Sequence, residues 1–318
     1  NVREIRDLAD YAKLMGRETV FSAKQAAEAM YYLASAGLQT EEEIKAALRP
    51  ALDLAAATQS NLAFTTRSVV EALTMFGLEA REAQRVADTY AAAISKSQLK
   101  LELLADAMVY AGPVASALGW SIEETVAVLG KLHDAGFKGS MAGTALRGML
   151  TRIVAASGRA SDILEELAGR VGEEFVAEVS AAADVSDEFI EALERLGGVE
   201  AWVQAVFEGP VRLLQMFEEV GPQAAELMML LGQRAGPGGL ALIKQGSEPL
   251  EELIFNIQKA GAAAEMAATQ LDTFKGAWTR FKSALESAII ETFEPVLPLL
   301  KELLEERVVP LVTRFADW

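Results

Sequence analysis

The sequence contains no cysteine, one histidine and only 9 prolines among its 318 residues. Without cysteine the chain has no disulfide, no thiolate nucleophile and no cysteine-ligated metal, and one histidine cannot supply a histidine pair. Aromatic residues make up only 7% of the chain, so alanine and leucine provide most of its apolar surface. Both are strong helix formers, and alternating β-branched patterns are absent. The composition therefore predicts an all-α protein.

Positive charge is also scarce, with 29 lysines and arginines against 46 aspartates and glutamates and a net charge of −17. Because such a chain repels phosphate groups, we expect no direct nucleic-acid binding and no attraction to an anionic membrane surface. No apolar stretch reaches about 18 uncharged residues, so no transmembrane helix is predicted. The chain begins on Asn1 without a methionine, from which we expect a piece of a longer protein.

The most clearly patterned stretch runs from Trp120 to Arg152 and predicts two helices joined by a tight turn. Ser121, followed three residues later by Glu124, forms a capping box that starts the first helix. Gly136 follows the apolar stripe of this helix, where a left-handed C-terminal cap is expected.

The start of the second helix is rich in small residues, which predicts close packing against another helix. Gly139 and Gly143 are the main packing positions. This stretch is not a phosphate loop, because no strand precedes it and the Gly-Lys-Ser/Thr ending is missing. Arg147 is interpreted as bonding helix-terminal carbonyls or a neighbouring carboxylate, and a partner surface is the alternative.

The same hairpin pattern occurs 99 residues earlier, in Phe21 to Leu38 and the helix that follows. The matching positions are Ser22 with Ser121, Gly37 with Gly136 and, after a one-residue difference in the loop, Arg49 with Arg147. These agreements predict an internal duplication of a helical hairpin. Chance similarity between alanine-rich amphipathic helices is the alternative.

Glycine and proline divide the rest of the chain. The predicted organisation is a duplicated hairpin lobe over residues 1–158, an acidic middle region of short helices over 159–235, and a tract of long amphipathic helices over 236–318. The second boundary rests on Gly236 to Gly239, the strongest loop pattern in the chain. Gly112-Pro113 predicts a kink or a restart within a helix.

The C-terminal tract carries a large apolar stripe at helical spacing. Its members are Phe274, Trp278, Phe281 and Leu285. We interpret the stripe as a contact within the core or between subunits of an oligomer, and a membrane contact is the alternative.

No residue stands out as catalytic. His133 lies on or beside the packed face of its helix, so it is interpreted as a core residue. Adjacent carboxylates such as Glu41 to Glu43 point in different directions and are interpreted as caps and solvated faces, since acid–base catalysis needs a pair held across a cleft. The sequence therefore predicts no catalytic residue, no cofactor and no metal site.

A family resemblance is carried by several segments that occur in a fixed order. They are FSAKQAAEAMYYLASAG, ALDLAAAT, VAVLGKLHDAGFKGSMAGTALRGMLTR, RAGPGGLALI, GAAAEMAATQLDTFKGAWTRFKSALE and FEPVLPLL. Together they resemble the core region of phage tail tape measure proteins, from about Leu14 to about Leu300. The most specific parts run from Ala135 to Arg152 and from Gly261 to Glu286.

This resemblance implies a structural protein that occupies the lumen of the tail tube, sets the length of the tube and leaves it when DNA is ejected. It implies a homo-oligomer, a trimer or hexamer, with the tail tube protein, tail assembly chaperones and tail tip proteins as partners. It also implies the host cytoplasm as the location during assembly. A membrane-active or pore-forming ejection segment and a cell-wall hydrolase module are the alternative functions, and membrane contact is expected only at ejection.

Overall fold

The computed structural model describes residues 2–97, 99–156, 186–221, 223–271 and 281. Within these ranges the chain forms fifteen α-helices, a short 3-10 helix and no β-strand. The predicted all-α fold is confirmed.

The helices fall into two groups along the chain. The first group is α1 (Val2–Glu18), α2 (Ala23–Ala36), α3 (Glu41–Thr58), α4 (Leu62–Met75), the 3-10 helix (Ala80–Glu82), α5 (Ala83–Lys96), α6 (Leu101–Ala117), α7 (Ile122–Asp134) and α8 (Ser140–Ala155). The second group is α9 (Asp187–Arg195), α10 (Val199–Glu208), α11 (Pro210–Val220), α12 (Gln223–Leu230), α13 (Gly232–Gln245), α14 (Ser247–Ile257) and α15 (Ala262–Leu271).

Buried side chains from α1 to α15 form one continuous hydrophobic core. Helix α8 packs against α6, α7, α10 and α13, so it joins the two groups of helices. Trp202 and Phe217 fill the core of the second group, with ring centroids 4.7 Å apart. The Trp120 indole N–H donates a hydrogen bond to the Val206 carbonyl at 2.7 Å, which anchors the start of α7 to α10.

The two predicted hairpins, α2–α3 and α7–α8, are each preceded by a helix of 17 residues. The bounds of α1 and α6 differ by 99 residues at both ends, the same offset as the hairpins. The matching pattern therefore spans three helices rather than two. The packing of the two units differs, because α8 packs extensively on α6, the helix before its hairpin, whereas α3 has few contacts with α1 and packs mainly on α5 and α15. The duplication stays a prediction.

The loop predicted at Gly236 to Gly239 is wrong, because these residues lie within α13. Their lack of side chains serves packing. A Cβ atom at Gly236 would lie 2.1 Å from the Met228 carbonyl oxygen, and one at Gly238 would lie 2.7 Å from the Ala145 Cβ atom. Close approach of α13 to α12 and α8 therefore requires glycine, and tertiary packing overrides the low helix propensity of the segment.

Of the kink or restart predicted at Gly112-Pro113, the restart is wrong, because α6 runs through both residues to Ala117; the kink stays a prediction. A Cβ atom at Gly112 would lie 2.8 Å from the Met75 sulfur, so this glycine leaves room for the flexible Met75 side chain of α4. Buried residues of α6 precede and follow Pro113. Their packing offsets the loss of the backbone hydrogen bond that Pro113 cannot donate.

The division into residues 1–158, 159–235 and 236–318 remains a prediction. Residues 157–185 and most of the C-terminal tract lie outside the described residues. The second predicted boundary falls inside α13. The described part of the third region consists of α13 to α15, whose lengths are 14, 11 and 10 residues.

Candidate structural and interaction sites

The two hairpins begin with the same pair of hydrogen bonds. The Ser22 hydroxyl accepts from the Gln25 amide at 3.3 Å, and the Gln25 side chain accepts from the Ser22 amide at 2.9 Å. In the second hairpin, the Ser121 hydroxyl accepts from the Glu124 amide at 3.2 Å, and Glu124 accepts from the Ser121 amide at 2.7 Å. Both capping boxes satisfy two backbone donors at the helix start.

The first helices of the two hairpins also end alike. Gly37 has φ of 128° and Gly136 has φ of 97°. The amide after each glycine donates to the carbonyl five residues earlier, from Leu38 to Leu33 at 3.2 Å and from Phe137 to Leu132 at 2.9 Å. This is the Schellman arrangement, which favours glycine because its backbone readily adopts positive φ.

Valine at Gly37 or at Gly136 is expected to lower the free energy of unfolding by about 1 kcal/mol or more, because valine is strained at positive φ. A Cβ atom would touch nothing within 4 Å at either glycine, so the cost is conformational rather than steric. Urea denaturation followed by circular dichroism measures the loss. Gly136→Asn should lose less, since asparagine tolerates positive φ better. Unchanged unfolding of both valine variants would contradict the expectation.

The two matching arginines are placed on the second helices of the hairpins. Arg49 donates to Glu18 at 2.9 Å and to Asp53 at 3.0 Å, so it joins α3 to the end of α1. Burial raises the pKa of the Asp53 carboxyl; Arg49 opposes this shift and the nearby Asp88 carboxylate adds to it. Arg147 lies half-buried on α8.

Gly139 and Gly143 both face α6. A Cβ atom at Gly139 would lie 2.7 Å from an Asp106 carboxylate oxygen, and φ at Gly139 is +54°. A Cβ atom at Gly143 would lie 2.3 Å from the Ala107 carbonyl oxygen and 2.9 Å from the Tyr110 Cβ atom. The two backbones therefore approach to a distance that no other residue permits at Gly143.

Three helices begin after a glycine and take their N-terminal cap from a carboxylate on a distant helix. These helices are α8 after Gly139, α14 after Gly246 and α15 after Gly261. The capping carboxylates are Asp106, Glu218 and Asp88, respectively. Each contact satisfies backbone donors that would otherwise lack a partner, and each joins two helices.

The hydrogen bonds that cap α8 and α14 are short. An Asp106 carboxylate oxygen accepts from the Ser140 amide at 2.7 Å. Glu218 accepts from the amide and the hydroxyl of Ser247 at 2.6 and 2.7 Å. A negative charge at a helix N-terminus is further stabilised by the helix dipole.

Sequence reasoning missed these capping carboxylates. A glycine before a helix shows in the sequence that no local side chain caps it. The replacement carboxylate lies between 29 and 175 residues away, however, so only the fold brings the two groups together.

A further charged contact joins α5 to α7. Arg85 donates from Nε and Nη2 to the two carboxylate oxygens of Glu123 at 2.6 and 2.8 Å. The Glu123 side chain is only 5% exposed, whereas Arg85 is 43% exposed. Burial by itself would raise the pKa of the Glu123 carboxyl, but hydrogen bonds led by those from Arg85 outweigh it and hold the pKa below its ordinary value.

The apolar stripe predicted in the C-terminal tract is largely untested. Phe274, Trp278 and Leu285 lie outside the described residues, and Phe281 is 60% exposed. Its assignment to an oligomer or membrane contact remains a prediction.

His133 is 7% exposed and its Nδ1 atom is buried without a hydrogen-bond partner among the described residues.

Among the residues that the structure describes, no group of three or more His, Cys, Asp or Glu side chains is arranged to hold a metal ion. Nor does any described helix combine the length and hydrophobicity needed to cross a membrane.

Comparison with known proteins places these helices in a family. A family model described as phage-related minor tail protein matches residues 9–208, more than half of the chain. The chain belongs to the phage-related minor tail protein family. The family match runs from α1 to the last residue of α10, so both hairpins lie within the matched region.

Two curated relatives extend the match. The chain is 35% identical over 287 residues to the "Tape measure protein" of Pneumococcus phage Dp-1, covering 89% of this chain and 23% of that relative. It is 35% identical over 164 residues to the "Probable tape measure protein" of Escherichia phage P2, covering 52% of this chain and 20% of that relative. The chain thus spans less than a quarter of the length of either relative. No solved structure matches it. The resemblance to tape measure proteins is confirmed by both relatives.

Proposed function

We propose that the chain is a helical module of a tail tape measure protein, with a structural role in setting tail length. The observation that carries the proposal is the 35% identity to the Dp-1 tape measure protein across 89% of the chain. The all-α fold supports it, because a helix that is extended along one axis converts residue number into a defined length of about 1.5 Å per residue.

A protein that sets tail length acts as a ruler, and the packing of its helices determines how much length each residue contributes. A single straight helix of 318 residues would measure about 480 Å. The longest described helix, α3, has 18 residues, and the helices fold back on one another around one core. In this conformation the described helices do not add their lengths along one axis, as they would in a straight helix.

We further propose that the module lies in the lumen of the tail tube in the virion and in the host cytoplasm during assembly. Its proposed partners are further copies of itself, as a trimer or hexamer, together with the tail tube protein, tail assembly chaperones and tail tip proteins. The net charge of −17 supports partners with neutral or basic surfaces. No enzymatic or membrane-active role is proposed, because both relatives are described as tape measure proteins.

Changing the length of the module in the phage that encodes it tests the structural role. In-frame deletions of increasing size within residues 9–208 are expected to shorten the tail in proportion to the residues removed, by up to about 1.5 Å per residue. A tandem duplication of the same residues should lengthen the tail. Electron microscopy of negatively stained virions measures both. Tails of unchanged length in both the deletion and the duplication series would contradict the proposal.

A further inference from the structure

The last continuous helix described, α15, lies in a groove between α3 and α5. It meets this groove mainly through small side chains: Ala263 and Ala267 are buried, and Met266 is partly buried against the core. The opposite face, including Glu265, is exposed. Because apolar stabilisation grows with the area removed from water, alanine contacts hold a helix less firmly than leucine or phenylalanine contacts do.

At the start of α15, hydrogen bonds to a carboxylate add to these weak apolar contacts. The Asp88 side chain, only 4% exposed on α5, accepts hydrogen bonds from the amides of Gly261 at 2.8 Å and Ala263 at 2.9 Å. Gln84 also donates to it at 3.1 Å. Hydrogen bonds to an ionised carboxylate are about twice as strong as neutral ones. At the other end, the Gln59 side chain donates a neutral hydrogen bond of 2.7 Å to the Gln270 side chain.

The connection to α14 permits movement. Helix α14 ends at Ile257, and α15 begins at Ala262 after a short turn. Gly261 has φ of 89°, is exposed, and a Cβ atom there would meet nothing within 4 Å. Among the described residues no atom packs against the side-chain position of Gly261, so the Asp88 hydrogen bonds are the contact that holds the start of α15 in place.

We propose that α15 is a releasable strap, closed over the α3–α5 groove by the Asp88 carboxylate and able to detach as a unit about Gly261 while the other helices stay folded. Its release opens the groove between α3 and α5 along the face that Ala263 and Ala267 now cover. This property goes beyond the proposed role in tail length and does not depend on it.

Native-state hydrogen exchange of the purified chain tests the strap, with Asp88→Asn as the main variant. Asparagine keeps the size of the side chain but removes its charge and one acceptor atom. Amides of residues 262–271 are expected to exchange about tenfold faster or more in the variant, which corresponds to the loss of charge-assisted hydrogen bonds. Amides of α7 and α8 should keep their wild-type rates.

Two further variants separate the outcomes. Glu252→Gln removes one negative charge from an exposed position of the neighbouring α14, outside its first turn, and should leave the exchange of α15 unchanged. Ala92→Cys with Met266→Cys places two thiols in one surface cleft between α5 and α15, in a chain that has no other cysteine. A flexible bis-maleimide cross-link between the two thiols should restore slow exchange in the Asp88→Asn background, and the same variant without the cross-linker should still exchange fast. Wild-type exchange of α15 in Asp88→Asn, or equal acceleration throughout the chain, would overturn the proposal.

Discussion

Gly143→Ala is expected to lower the free energy of unfolding by about 3 kcal/mol. The added methyl group would lie 2.3 Å from the Ala107 carbonyl oxygen, which belongs to the backbone of α6 and has no flexible end to move aside. Helices α6 and α8 must therefore separate, and the buried side chains between them lose contacts. Thermal and urea unfolding of the purified chain measure the effect.

Gly130→Ala is the matched control for this prediction. Gly130 is also a buried glycine inside a helix, but a Cβ atom there would lie 3.9 Å from its nearest neighbour, Leu253. Alanine is favoured over glycine in a helix interior by up to about 1 kcal/mol, so this variant is expected to be as stable as the wild type or more stable. Equal losses in Gly130→Ala and Gly143→Ala would show that helix packing is not the cause.

Arg85→Met is expected to cost about 2 kcal/mol at neutral pH. Removing one partner of a fully buried ion pair costs about 3 to 5 kcal/mol, and the figure is reduced here because water reaches the exposed part of Arg85. The variant leaves the Glu123 carboxylate buried without its main donors. Arg81→Met is the matched control, since its ion pair with Glu79 is exposed on both sides, and it should unfold like the wild type.

The effect of Arg85→Met should depend on pH. The pKa of Glu123 is lowered in the folded protein, so the ionised carboxylate contributes stability above its ordinary pKa of 4.5. That contribution is lost as the pH falls through the lowered value. Once Arg85 is removed, burial dominates and a protonated Glu123 is tolerated. Without Arg85, burial raises the pKa of Glu123 in the folded variant above 4.5. The difference between variant and wild type should therefore begin to shrink above pH 4.5 and continue to shrink as the pH falls through the lowered pKa of the wild type. A difference that is constant from about pH 7 to pH 4 would contradict this account.

The sequence alone predicted those features whose interacting groups all lie within one turn of helix. Ser121 and Glu124 stand three residues apart, and a helix start of this form needs no distant partner. The glycines at the ends of α2 and α7 follow the same logic, because positive φ is a property of the single residue. Residues of this kind account for the predicted hairpin boundaries.

The loop prediction was wrong at glycines that permit close contact between helices rather than turn the chain. Gly236 and Gly238 form a loop pattern in the sequence, yet both lie inside α13 because α12 and α8 pack directly on its backbone. The residue that packs against Gly238 is Ala145, which is far away in the sequence. Local propensity therefore predicts a break that the tertiary contacts remove.

The sequence by itself determined the helical class, the capped starts and glycine ends of the hairpins, and the family resemblance, because composition, caps and apolar spacing are local properties. Only the tertiary structure decided which helices touch, which glycines are tight contacts, and which carboxylates cap α8, α14 and α15. Asp88 illustrates the reason: its partners lie 173 and 175 residues away. A hydrogen bond or close packing contact over that separation depends on how every intervening helix packs, and no local pattern encodes it.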